Sequence, residues 1–135
     1  MITGHWHIIG TGIDIVETDR VRESIEKFGD RFLNRCFWSS EIAYCQSMKF
    51  PAMHLAARFA AKESISKAFG TGIGRELGWK DMEIGRRDTG EPHVILHGKG
   101  QSLALSRGVH HIFISLTHCR SHAAAHAIAV GLPAA

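Results

Sequence analysis

Phe59-Ala60-Ala61-Lys62-Glu63-Ser64-Ile65-Ser66-Lys67-Ala68-Phe69-Gly70 is the stretch on which the reading of this chain turns. It is rich in alanine and has no proline or glycine before Gly70. Pro51 upstream suits a helix start, and Gly70 and Gly72 supply a stop, so a long helix is predicted from Ala52 to Phe69. At 3.6 residues per turn, Leu55, Phe59, Lys62, Ser66 and Phe69 share one stripe, and Ile65 widens its apolar side. Lys62 thus falls on the side a helix normally buries. Glu63 and Lys67 lie just beside it, four residues apart and within reach of each other. Burying a charge is costly unless it is paired or coordinated, so these side chains need partners from elsewhere in the chain.

One source of partners is Gly10-Thr11-Gly12-Ile13-Asp14-Ile15-Val16. His7 to Val16 alternates as a strand, with Ile9, Thr11, Ile13 and Ile15 on one side and Gly10, Gly12, Asp14 and Val16 on the other. Asp14 therefore stands on the glycine side, where another element can approach closely; a strand bend explains the glycines equally well. A short helix is predicted over Asp19–Phe28, and another through Glu41–Cys45, capped by Ser39 or Ser40. Strands are predicted over Trp79–Ile84 and His93–His97 around an Asp88–Pro92 turn, then a short helix over Gln101–Gly108. Ile112–Leu116 and Ala123–Val130 complete the strands, although the alanines of the last also suit a helix. The expectation is one α+β domain over residues 1–135, a long helix packed with a mainly antiparallel sheet, with residues 1–6 as a flexible leader.

Bulk properties narrow the function classes. Sixteen Lys and Arg against thirteen Asp and Glu leave a formal charge of only +3. Without a long basic run this points away from nucleic acid and still permits an acidic or phosphate-bearing partner. No apolar run approaches the length of a membrane span. Three cysteines with no C-x-x-C pair argue against a disulfide framework, and the first residues lack a basic-then-apolar leader. Reduced thiols and a cytoplasmic location are expected.

Asp14 and Glu63 are the first candidates for chemistry, because two carboxylates at a strand–helix junction could hold Mg²⁺, a hard ion that keeps several waters. The plainer alternative is that Asp14 caps a turn and Glu63 only pairs with Lys67. Lys62 and Lys67 suit a polyphosphate, while Lys62 could equally lay its stem along apolar surface and reach water. Gly70-Thr71-Gly72-Ile73-Gly74 could cradle phosphate with backbone donors or simply end the helix, and it lacks the lysine and hydroxyl residue of a Walker loop. His118 leaves a strand where it could touch a phosphate or move a proton. His118, His122 and His126 repeat every four residues, which raises a zinc reading; in a single strand the outer two would stand about 26 Å apart. Ser115 has no G-x-S-x-G around it.

Taken together, these stretches resemble the holo-[acyl-carrier-protein] synthases, the small bacterial 4'-phosphopantetheinyl transferases. The resemblance runs from Gly10-Thr11-Gly12-Ile13-Asp14-Ile15-Val16 through Arg20, Arg58-Phe59-Ala60-Ala61-Lys62-Glu63 and Lys67. It continues with Gly70-Thr71-Gly72-Ile73, Trp79-Lys80-Asp81, Gly90-Glu91-Pro92 and Ile114-Ser115-Leu116-Thr117-His118, covering roughly residues 7–131. It implies the fold of that family and transfer of 4'-phosphopantetheine from coenzyme A to a serine of apo acyl carrier protein, with release of adenosine 3',5'-bisphosphate. It further implies Asp14 and Glu63 as Mg²⁺ ligands, and Glu63 as proton acceptor, directly or through a water. Lys62 would lie near the pyrophosphate as a catalytic residue that offsets charge in the transition state, and Lys67, the next motif lysine on the same helix, would help bind coenzyme A. Gly70, Thr71, Gly72, Ile73 and His118 would line the coenzyme A site, and Arg20 would meet the acidic carrier. Small members form homotrimers with interfacial sites, which would place Phe37 or other aromatics outside the private core. Arg35, Lys49 and Arg86 are candidates for the 3'-phosphate. The competing readings are a non-catalytic coenzyme A or nucleotide-binding regulatory module, a structural subunit with an acidic partner, and a zinc hydrolase.

Overall fold

The computed structural model describes residues 5–133. In chain order these form β1 (His7–Glu17), α1 (Thr18–Phe28), α2 (Asp30–Cys36), α3 (Ser39–Gln46), α4 (Pro51–Phe69), β2 (Met82–Arg86), β3 (Pro92–Leu96), α5 (Lys99–Arg107), β4 (His111–His118) and β5 (His122–Gly131). The expected α+β architecture is present. An antiparallel sheet of order β1-β5-β4 packs against α4, and β2 and β3 pair as a separate antiparallel hairpin. Of the leader expected over residues 1–6, residues 1–4 lie outside the described residues, and Trp6 packs edge-on against His110.

The seat of α4 is made of very small side chains. β1 turns Gly10, Gly12, Asp14 and Val16 inward, and in register with them β5 presents Ala129, Ala127, Ala125 and Ala123. Those four alanines are buried. A methyl added at Gly12 would lie 1.8 Å from the Ser64 carbonyl oxygen, and one at Gly10 would lie 1.9 Å from that of Ala68. The strand backbone therefore touches the helix backbone, which only glycine permits. Gly12→Ala is expected to push the strand off the helix and cost about 3 kcal/mol, read as a lower midpoint in urea unfolding. Alternating small residues on one face also explain why Ala123–Val130 is a strand despite alanine's helical preference: tertiary packing overrides propensity.

Helix α4 starts at Pro51 and ends at Gly70, whose φ of 79° is left-handed. Thr71 and Gly72 donate their N–H groups to the Ser66 carbonyl, and Arg107 donates to the Phe69 carbonyl at 2.7 Å, so the helix end is closed by protein donors. Nearly every side of α4 is covered, which makes it the spine between two apolar clusters. One forms around Ile65, Phe69, Leu77 and Met82, the other around Val21, Leu33, Phe37 and Leu55. Three expectations change here. Trp79–Asp81 is a 3₁₀ turn, and the strand expected from Trp79 begins at Met82. Phe37 is wholly buried within its own chain rather than outside the private core. His118 closes β4 and His122 opens β5, so the three histidines occupy two strands of a hairpin, neither one helical face nor one extended strand.

The outer face of the large sheet is uncovered. Ile13 and Ile15 are each 68% exposed and Phe113 is 45% exposed, an apolar surface that water does not favour.

Candidate active site

Asp14 is delivered to its place by the glycines before it. Because β1 lies directly on α4, its carboxylate sits beside the helix turn that carries Glu63 and Lys67. Lys67 donates to the Ile13 carbonyl at 2.9 Å and to Asp14 Oδ1 at 3.2 Å. Asp14 and Glu63 line one cleft of about 350 Å³, together with Arg20 and Ser24 from α1 and the rings of Phe32 and Phe59. Burial raises the pKa of Glu63 above the ordinary carboxylate range. The Asp14 charge pushes it further up, and Lys67 opposes the rise. The cleft thus brings two carboxylates close enough to repel, beside one ammonium, with an exposed arginine on its wall. Two hard oxygen donors opening into a polar cleft fit an ion that takes its remaining ligands from water and substrate phosphate. Among the described residues, no group of three or more His, Cys, Asp or Glu is arranged to hold a metal, so any ion here rests on this pair.

A second, smaller pocket of about 190 Å³ is lined by His54 and Arg58 of α4, Arg86 of β2, His118 of β4, and the Gly90 and Pro92 turn. The His54 and His118 rings meet edge-to-face at 4.9 Å. Arg58 is buried, and its Nε has no hydrogen-bond partner among the described residues. Arg58 and Arg86 each lie over the Tyr44 ring, at 4.5 and 4.7 Å. Two permanent cations and two ionisable rings converge here, and among the described residues no carboxylate lines the pocket. An unpartnered buried guanidinium nitrogen in such a setting suits a phosphate.

The sequence profile of the 4'-phosphopantetheinyl transferase superfamily matches residues 10–130. The chain belongs to that superfamily. Membership makes it a transferase enzyme. It is 48% identical over 122 residues to the holo-[acyl-carrier-protein] synthase of Chlamydia trachomatis serovar L2, a match covering 90% of this chain and 99% of that relative. Its fold is similar to the Helicobacter pylori holo-[acyl-carrier-protein] synthase solved with coenzyme A. There the TM-score is 0.79 at 29% identity, with 88% of this chain and 98% of the other covered. It is likewise similar to the Bacillus anthracis enzyme solved in complex with CoA (3',5'-ADP), with a TM-score of 0.75 at 33% identity and coverage of 92% and 97%.

Against the superfamily motifs, several expected site residues fall differently. Lys62 does not face the cleft beside Glu63. It is wholly buried, donating to Glu41 Oε1 at 2.8 Å, the Cys36 carbonyl at 2.7 Å and the Trp79 carbonyl at 3.3 Å. Adjacent helical residues point about 100° apart, so Glu63 meets β1 while Lys62 enters the core. Burial pulls the Lys62 pKa down, and Glu41 opposes the fall. Gly70, Thr71, Gly72 and Ile73, expected to line the coenzyme A site, form the turn that follows α4. The Gly70, Thr71 and Gly72 N–H groups close the end of α4, Ile73 packs on the core, and none of the four lines either pocket. Of the three basic residues expected for the 3'-phosphate, Arg86 lines the basic pocket; Arg35 and Lys49 do not.

The sequence reading missed Glu41, His54 and the role of Arg58. His54 and Arg58 stand four apart, so one helix face carries both, a signal open to inspection. Glu41 occupies the third position of α3 and accepts from the Trp38 N–H at 2.8 Å, a capping contact. Its second oxygen accepts from the Ile84 N–H at 3.0 Å, which no local pattern announces.

Proposed function

We propose that this chain transfers the 4'-phosphopantetheine group of coenzyme A to a serine of apo acyl carrier protein, releasing adenosine 3',5'-bisphosphate. The observation that carries this assignment is the convergence of Asp14 and Glu63 on one cleft, with Lys67 bridging to Asp14. The serine oxygen attacks the β-phosphorus of coenzyme A, and the bond from that phosphorus to the bridging oxygen breaks. Asp14 and Glu63 would hold Mg²⁺, which when bound supplies charge neutralisation for the pyrophosphate. Glu63 takes the serine proton, directly or through one water. Lys67, half-exposed, assumes the charge-offsetting role first expected of Lys62. His118, with Arg58 and Arg86, holds a phosphate of the nucleotide end. Gly70, Thr71, Gly72 and Ile73 would line the coenzyme A site where subunits meet, outside the two pockets of the single chain.

Arg20, exposed beside the cleft, meets the acidic carrier, for which a fatty-acid carrier protein is the proposed partner. The uncovered face bearing Ile13, Ile15 and Phe113 supports a homotrimer with active sites at subunit interfaces. A reducing, cytoplasmic setting agrees with three free cysteines. Two of them, Cys36 and Cys45, are buried thiols whose pKa values are pushed up to about 11. Among the described residues, no helix is long and apolar enough to cross a membrane.

The direct test is product chromatography with purified protein, coenzyme A and Mg²⁺. Adenosine 3',5'-bisphosphate is expected to form in step with loss of coenzyme A, and only when apo carrier is present. Coenzyme A that binds but stays intact with every apo carrier supplied would instead identify a regulatory binding module.

A further inference from the structure

His54 is not needed by the transfer step, yet it shares a small pocket with two arginines and a second histidine. His118 approaches it from β4 with ring centroids 4.9 Å apart, and Tyr44 from α3 meets it edge-on at 6.2 Å. Arg58 lies one turn further along α4, and Arg86 enters from the end of β2. Arg86 also donates to the Tyr44 hydroxyl, which fixes it over that ring. Every charged or ionisable side chain lining this pocket is therefore a cation or a potential one. Without a ligand, a proton on His54 would add a third or fourth positive charge to a space of about 190 Å³. Burial, followed by His118, Arg58 and Arg86, accordingly lowers the His54 pKa, and the free protein keeps this ring neutral at pH 7.

A phosphate monoester reverses that balance. It carries a charge of about −1.5 to −2 at pH 7. Set against Arg58, whose buried Nε lacks a partner among the described residues, it places an anion within reach of both imidazoles. An opposite charge within about 4–6 Å favours the protonated imidazole. We infer that His54 reads the terminal 3'-phosphate of coenzyme A by taking up one proton as that phosphate enters the Arg58–Arg86–His118 pocket. This rests on the transferase assignment above and adds a residue and a proton that the assignment does not require.

The direction of the effect follows from linkage. A group whose pKa rises on binding takes up a proton, so affinity is greater at lower pH. It falls about tenfold per pH unit between the free and bound pKa values. The terminal phosphate has its own second ionisation near pH 6, and a cationic pocket drives that group to release protons. It therefore works against the signal and does not imitate it.

The experiment is isothermal titration of the full chain with coenzyme A and Mg²⁺ at pH 7.2, in buffers of differing ionisation enthalpy, repeated from pH 6.5 to 8. Wild type is expected to take up about one proton, with affinity falling as pH rises. Dephospho-coenzyme A, which lacks only the 3'-phosphate, is expected to bind wild type with no uptake. His54→Gln is expected to bind coenzyme A more weakly at pH 6.5, with a flat pH dependence and no uptake. Coenzyme A binding to wild type without proton uptake would overturn the inference. So would uptake that persists in His54→Gln, or with dephospho-coenzyme A. Absence of coenzyme A binding at any pH is a different failure, because it removes the transferase assignment itself.

Discussion

Replacing Glu63 with glutamine is expected to reduce transfer by about 10²–10³-fold, the range for removing one preorganised electrostatic group, while making the metal-free protein more stable. The two effects share one cause. Burial and the neighbouring Asp14 raise the Glu63 pKa in the folded chain. In the unfolded chain it titrates near the ordinary glutamate value. Between the two pKa values the folded state binds more protons, so stability declines as pH rises through that window. At neutral pH the ionised side chain is a net burden on the fold. Glutamine keeps the shape and removes the charge. In thermal unfolding without divalent ions, Glu63→Gln should therefore melt above wild type at pH 7.5, with the difference shrinking toward pH 4. Adding Mg²⁺ should raise the wild-type Tm and leave the variant nearly unchanged, because an ion that binds only the folded state stabilises by mass action. Equal melting temperatures at pH 7.5, with equal responses to Mg²⁺, would contradict the carboxylate-pair geometry.

Lys62→Met is expected to be the most destabilising single substitution in α4. Removing one partner of a buried ion pair leaves the other uncompensated, at about 3–5 kcal/mol. That corresponds to a fall in Tm on the order of 10–20 °C for a domain of this size. The carboxylate left behind would be Glu41, which is fully buried and holds Trp38 and Ile84 through its two oxygens. The same ammonium also ties the carbonyls of Cys36 and Trp79, so α2, α3, α4 and the 3₁₀ turn meet at one nitrogen. Glu41→Gln in the Lys62→Met background should restore part of the loss, because glutamine still offers an acceptor and no stranded charge. Activity measured well below the melting transition separates this role from a catalytic one. Lys62→Met should retain most of its kcat there. A large fall in kcat with unchanged Tm would return Lys62 to the pyrophosphate.

What was legible in the sequence follows from the range of each signal. The close approach of β1 to α4 could be read from Gly10, Gly12 and Asp14 falling on one side of an alternating strand. The helix could be read from its alanines and its Pro51 and Gly70 ends. Both are local patterns, and together they bring Asp14 to Glu63. The fate of Lys62 was not legible, because its counter-charge lies 21 residues upstream on a separate helix. The basic pocket draws on α4, β2 and β4, and only the helix pair His54 and Arg58 leaves a periodic trace. The glycine turn after α4 carries an ambiguous signal for a physical reason. Backbone N–H groups that cradle phosphate at a helix start are consumed by carbonyls at a helix end, and Thr71 and Gly72 stand at an end. The alanine strand shows the reverse case, where side-chain size at every second position outweighs helix propensity.

The most direct measurement of the central claim is the intact mass of apo acyl carrier protein after incubation with this protein, coenzyme A and Mg²⁺. Parallel reactions would omit the ion or use Glu63→Gln. A gain equal to one phosphopantetheine group is expected in the complete reaction, and it should be lost when the carrier's acceptor serine is replaced by alanine. The gain should be nearly absent without Mg²⁺ and with Glu63→Gln. An unmodified carrier in the complete reaction, with coenzyme A binding intact, would contradict the transferase claim. Full modification by Glu63→Gln would contradict the role of the carboxylate pair.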